Sequence, residues 1–77
     1  MSYQGDDGAA RVIEVWVVED GQRRRAYTYA ELAAMSGRAA HTLRSRAHRE
    51  LIPAVDRIAG IIPVFYPEQF GITEARP

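Results

Sequence analysis

His41, Arg44, Ser45 and His48 stand at i, i+3, i+4 and i+7, a spacing that could do chemistry. On a helix that spacing lines one face, from which a row of donors can reach base edges and phosphates. Arg38, Arg46 and Arg49 flank the row. Thr42 adds a hydroxyl that suits either a phosphate contact or a core position. A metal reading of the two histidines fails, because a helical ligand pair favours i, i+4 and needs further ligands. Catalysis has equally little to work with. There is no cysteine, no Gly-x-Ser-x-Gly elbow, no glycine-rich phosphate loop, and no set of carboxylates converging with a base. The expectation is no enzyme, no cofactor and no bound metal.

The charge distribution sharpens the binding reading. Ten basic and ten acidic residues cancel to zero over 77 residues, and every basic residue is arginine. The cancellation is not local. Residues 1–21 set Arg11 against Asp6, Asp7, Glu14, Glu19 and Asp20, a balance of −4. Residues 22–57 set eight arginines against Glu31, Glu50 and Asp56, a balance of +5. Such segregation points to a polyanionic partner more than the net value does, whereas evenly solvated surface arginine is the plain alternative.

Length and composition bound the rest. A chain this short makes one domain, and 47% hydrophobic residues place it among globular proteins. Without cysteine there is no disulfide framework and no thiolate zinc site. Apolar runs such as Ile58–Val64 fall far below the ~20 residues of a membrane span. The acidic N-terminus has no apolar signal segment, so the expected compartment is the cytoplasm. The lysine-free, alanine- and arginine-rich composition fits a GC-rich genome, hence a bacterium or a phage-infected host cell.

The elements that must position the polar row follow from local patterns. Residues 1–10, with Gly5, Gly8 and paired aspartates, read as a flexible leader, ahead of a single domain over 11–77. Val12–Val18 is β-branched and aromatic, a strand; Glu19–Gln22 turns at Asp20-Gly21; Arg23–Tyr29 returns, giving a hairpin over 12–29. Both strand faces are largely apolar, so one packs on the core and the other awaits cover from the hairpin over 54–65 or a second subunit. Trp16 is expected in the core or an interface. Arg23, Arg24 and Arg25 read as a charged edge guarding against aggregation, with phosphate contact the alternative. Thr28 and Glu31 form a capping box for a helix over 29–35, which Gly37 ends. A second helix spans about 39–50, its inward stripe being Ala40, Leu43, Ala47 and Leu51. Strands at 54–57 and 62–65 flank Ala59-Gly60, with Pro63 confining its strand to an edge. A short helix over 67–71 starts on Pro67.

Two helices joined by a short glycine-containing turn, the second carrying an arginine-rich face, read as a helix-turn-helix. The hairpin over 54–65 is then a wing. The expected fold class is α+β, a winged helix-turn-helix (helix pair over 29–50) with an added N-terminal β-hairpin.

The chain resembles the MerR-like winged helix-turn-helix in its small excisionase-type form. The residues that carry the resemblance are Thr28-Tyr-Ala-Glu-Leu-Ala-Ala-Met35, Gly37, Thr42-Leu43-Arg44, Leu51-Ile52-Pro53, Arg57, Gly60, Phe65 and Tyr66-Pro-Glu68. They cover roughly residues 28–70, and their order and spacing are more specific than any one of them. The resemblance implies sequence-specific binding of duplex DNA, with Ala40, His41, Arg44 and Ser45 facing the groove and Arg57 meeting phosphate. With Arg38, Thr42, His48 and Arg49 beside them, these residues are the candidate DNA-binding set. Three positions depart from the family pattern: Ala39 replaces a Ser/Thr cap, Glu50 replaces a Gly, and Ile61 occupies the wing tip where relatives carry a polar residue. The N-terminal hairpin lies outside the pattern. Little chain follows the wing to hold a dimerisation helix or an effector site. This favours an excisionase-like factor that bends DNA and directs a recombinase (integrase), in several copies side by side. A small transcriptional regulator or phage repressor is the alternative within the class. A protein-interaction module, pairing with a partner or with itself through the N-terminal hairpin, is the alternative outside it.

Overall fold

In the computed structural model, residues 13–73 are described, so the expected leader over 1–10 and the strand start at Val12 lie outside them. The order is β1 (Val15–Glu19), β2 (Gln22–Ala26), α1 (Tyr29–Ser36), α2 (Ala40–Arg49), β3 (Asp56–Ile58), β4 (Ile62–Val64) and one 3₁₀ turn (Pro67–Phe70). Over the described residues this is a small α+β domain with two antiparallel hairpins and two α-helices.

The first hairpin is tighter than its sequence pattern. Glu19 pairs with Gln22, so only Asp20 and Gly21 turn, at φ 52° and 78°. Positive φ at both central residues gives the twist that a two-residue hairpin needs, which Asp-Gly tolerates. β2 ends at Ala26 rather than running on to Tyr29. Tyr27 leaves the hairpin to pair with Phe65 instead, each N–H donating to the other's carbonyl at 2.8 Å. This one bridge ties the N-terminal hairpin to the end of β4. Behind it, Ala26, Val64 and Tyr66 form a small buried cluster, against which Val15 and Val17 pack. The expected cover of the opposite face of β1 by the second hairpin does not form: Trp16 is 45% and Val18 67% exposed, so Trp16 is not a core residue.

The capping box at α1 forms as its residues dictate. The Glu31 amide donates to Thr28 Oγ1 at 3.2 Å, and the Thr28 amide donates to Glu31 Oε1 at 3.0 Å. Gly37, at φ 76°, ends the helix with its N–H on the Ala33 carbonyl. α2 starts without such help, since Ala39 offers no side-chain acceptor at its N-cap. Ala39→Ser is therefore expected to raise stability by about 1 kcal/mol. Thermal denaturation checks this, and an unchanged or lower Tm counts against it.

The two helices meet through Leu32, Leu43 and Ala47, and the main core adds Phe65, Phe70 and Ile72. Phe65 lies 5.0 Å from the Tyr29 ring and 5.2 Å from Phe70, tilted and edge-on. The second hairpin is also shorter than expected. β3 begins at Asp56, although Val55 still donates to the Val64 carbonyl. Arg57 stands opposite Pro63, which faces no further strand.

Leu51 departs most from its expected place. It continues the inward stripe of α2 by spacing, yet it is 85% exposed. Its backbone sits at φ 54°. Leu51 N–H turns back to His48 and Ile52 N–H to the Ala47 carbonyl, the double closure of a Schellman motif. Chain reversal at this residue ends the helical periodicity that would have carried Leu51 inward. The left-handed residue is thus Leu51, and Glu50 (φ −99°) needs no glycine. Because a β-carbon is strained there and little apolar area is lost, Leu51→Gly is expected to stabilise the fold by about 0.5–1 kcal/mol. Urea unfolding measures this, and destabilisation would show that Leu51 makes a contact worth more than the strain.

Candidate nucleic-acid interface

α2 is amphipathic by its residue order. Leu43 and Ala47 face the core, Ala40 is half-buried, and His41, Thr42, Arg44, Ser45, His48 and Arg49 are exposed. Helical geometry spreads these six over one broad face. Ser45 points most directly away from Leu43 and Ala47. Arg44 and His48 lie on the side of the second hairpin, and Thr42 on the other side. Thr42 is therefore not a core residue. Arg38 is exposed in the turn before α2, with its amide donating to Ser36 Oγ at 3.2 Å.

Between α2 and the second hairpin runs a groove. Arg44, His48, Thr28, Tyr29 and Ala30 line it on the helical side, and Ile61, Ile62 and Pro63 on the other. An adjoining hollow shares His48, Tyr29 and Pro63 and adds Leu51 and Arg57. The fold thus brings Arg44, His48 and Arg57 around one concave surface. His41, Ser45 and Arg49 extend the exposed face of α2 beyond it, and Arg38 and Thr42 lie further out. The Arg44 guanidinium rests 5.1 Å from the centre of the Tyr29 ring, which fixes where this charge stands. Burial holds the Tyr29 phenol above its ordinary range, and Arg44 partly offsets this.

The eight arginines among the described residues divide by partner. Arg24 binds Glu68 at 2.5 Å and lies over the Tyr66 ring at 3.8 Å. That hydrogen bond keeps the Glu68 carboxyl below its ordinary value. Arg25 reaches Glu31 at 2.7 Å and lies over Tyr27 at 4.6 Å, bracing the α1 capping box. Arg23 lies over the exposed Trp16 ring at 4.7 Å. The triple-arginine strand thus serves mainly to hold the first hairpin. Arg46 bonds Glu50 at 3.1 Å and donates to the Phe70 carbonyl at 2.9 Å, so it lies along the core rim. Among the described residues, no carboxylate pairs with Arg38, Arg44, Arg49 or Arg57. Arg23 on β2 likewise has no carboxylate partner among the described residues; the other unpaired arginines lie on α2, the turn before it and the second hairpin.

Sequence reasoning passed over Tyr29, Ile62 and Leu51 as surface-forming residues. Tyr29 reads as a helix start, and nothing local places its ring beneath a residue fifteen positions away. Among the described residues, no group of three His, Cys, Asp or Glu is placed to hold a metal, and no helix is long and apolar enough to cross a membrane. Comparison with known protein families, with curated proteins and with solved structures finds no match to this chain.

Proposed function

We propose that this chain is a sequence-specific duplex-DNA-binding protein of winged helix-turn-helix type. α1 braces α2, α2 enters the major groove, and β3–β4 is the wing. One observation carries the reading: among the described residues, Arg38, Arg44, Arg49 and Arg57 are exposed without carboxylate partners around α2 and the second hairpin, while Arg24, Arg25 and Arg46 are spent within the fold and Arg23 lies on the Trp16 ring. Cations left free on the exposed face of α2 and on the hairpin beside it suit a phosphate backbone. The order of sequence features shared with small excisionase-type proteins supports the biological role: bending DNA at adjacent sites and directing a recombinase. With zero net charge, non-specific affinity falls on the weak side of ~10⁻⁴–10⁻⁶ M, and adjacent copies supply the rest.

Fluorescence anisotropy with random-sequence duplex, followed by selection of preferred sites, tests the binding. Affinity is expected to fall linearly on a log–log plot against salt. Absent or salt-independent binding sinks the proposal. Stimulation of excision by an added integrase separates the excisionase role from that of a transcriptional regulator.

The uncovered Trp16 and Val18 face favours a second reading, in which the first hairpin binds a protein partner or a second copy. Sedimentation of wild type and Trp16→Ala without DNA tests self-association. Equal monomer masses for both exclude it.

A further inference from the structure

The two hairpin tips differ in kind. The first is polar throughout, Glu19-Asp20-Gly21-Gln22, as solvent favours. The second, Ala59-Gly60-Ile61-Ile62, ends in two β-branched apolar residues, with Ile61 77% and Ile62 48% exposed. Their backbone is firmly set. Ala59 and Gly60 both take positive φ, 54° and 70°, and the Ile61 amide closes the turn on the Ile58 carbonyl at 2.9 Å. Pro63 stiffens the next position. Ile61 is thus held out on a short rigid turn instead of folding back on the core.

The surroundings of the tip indicate what it meets. Ile61 and Ile62 form one wall of the groove whose other wall carries Arg44 and His48, and among the described residues no carboxylate lines it. Arg57 stands in the same hairpin, opposite Pro63. A polyanion strand lying in the groove would meet cations on the helical side and an aliphatic tip on the other. An isoleucine side chain has no donor for the acceptors of the minor groove, so it cannot read bases by hydrogen bonding. It can enter a base step and unstack it, as apolar wedges do.

Resting on the DNA-binding reading above, we infer that Ile61 is such a wedge: it inserts at a base step from the minor groove and kinks the duplex held by α2. The hairpin then sets DNA shape, and prefers flexible pyrimidine–purine steps at the point of entry.

The test uses the full chain and a duplex selected by the wild type, with donor and acceptor dyes at its ends and 2-aminopurine at successive steps. Wild type is expected to shorten the end-to-end distance and raise 2-aminopurine fluorescence at one step. Ile61→Ser is expected to retain binding with the same salt slope, since no charge changes, but to lose both signals. Ile61→Leu should keep them. Circular dichroism confirms that each variant is folded. A wild-type complex with straight DNA, or an Ile61→Ser complex bent as the wild type, overturns the wedge and leaves DNA binding intact. Failure of the wild type to bind any duplex overturns both. A DNA-independent change of sedimenting mass in Ile61→Ser, with the bend unchanged, assigns the tip to protein docking and also overturns it.

Discussion

Arg44→Ala is expected to weaken duplex binding by about 5- to 150-fold, the equivalent of ~1–3 kcal/mol. Arg44 is exposed on the side of α2 that faces the second hairpin, without a carboxylate partner among the described residues. Its guanidinium lies against Tyr29, so part of the ordering that a DNA contact would require is already done. The form of the loss identifies the contact. A phosphate contact weakens all sequences alike and lowers the salt slope by about one. A base contact leaves the slope nearly unchanged and relaxes preference at one position. Stability should change little, because exposed substitutions without buried partners stay within about ±0.5 kcal/mol, plus a modest cation–π loss. Arg46→Ala supplies the contrast. Its bonds to Glu50 and the Phe70 carbonyl predict a cost in stability and little in affinity. Wild-type affinity for Arg44→Ala at every salt concentration would remove this residue from the interface.

Phe65→Ala is expected to cost about 3–5 kcal/mol, the range for truncating a buried aromatic. Phe65 is 2% exposed and joins three parts of the fold. Its ring packs on Tyr29 at the start of α1 and on Phe70 of the 3₁₀ turn, and its backbone pairs with Tyr27 beyond β2. A domain of 77 residues has a total stability of roughly 4–12 kcal/mol, at ~0.05–0.15 kcal/mol per residue. The substitution therefore removes a large share of it. Tm should fall by at least about 12 °C, or the chain should be unfolded at room temperature. Phe65→Leu, which retains most of the volume, should cost less than about 1.5 kcal/mol. Circular dichroism with heat and urea measures both. A fall of only a few degrees for Phe65→Ala would mean that the cluster collapses around the gap, with the Tyr27 bridge holding the two hairpins together unaided.

What the sequence alone determined about this chain is what depends on near neighbours. Asp20-Gly21 turns a hairpin because both residues accept positive φ. Thr28 and Glu31 start α1 because each can bond the other's backbone, and Gly37 ends it. Leu32, Leu43 and Ala47 fall inward by helical spacing alone, which also puts His41, Arg44, Ser45 and His48 outward. Each decision rests on neighbours within about two helical turns.

Tertiary structure decided which charges are spent and which are free. Arg24 looks no different from Arg44 along the chain, yet Glu68, forty-four residues away, claims it. The same holds for Arg46 and the Phe70 carbonyl, and for the Tyr27–Phe65 bridge that cuts β2 short. Leu51 leaves the core because the chain must reverse toward the second hairpin, and left-handed backbone at that point swings its side chain to solvent. Trp16 stays half-exposed, with Arg23 over its ring, because the second hairpin pairs at Tyr27 and does not reach across β1. Contacts between distant segments depend on which surfaces meet once the core has formed, and short-range periodicity carries no record of that meeting.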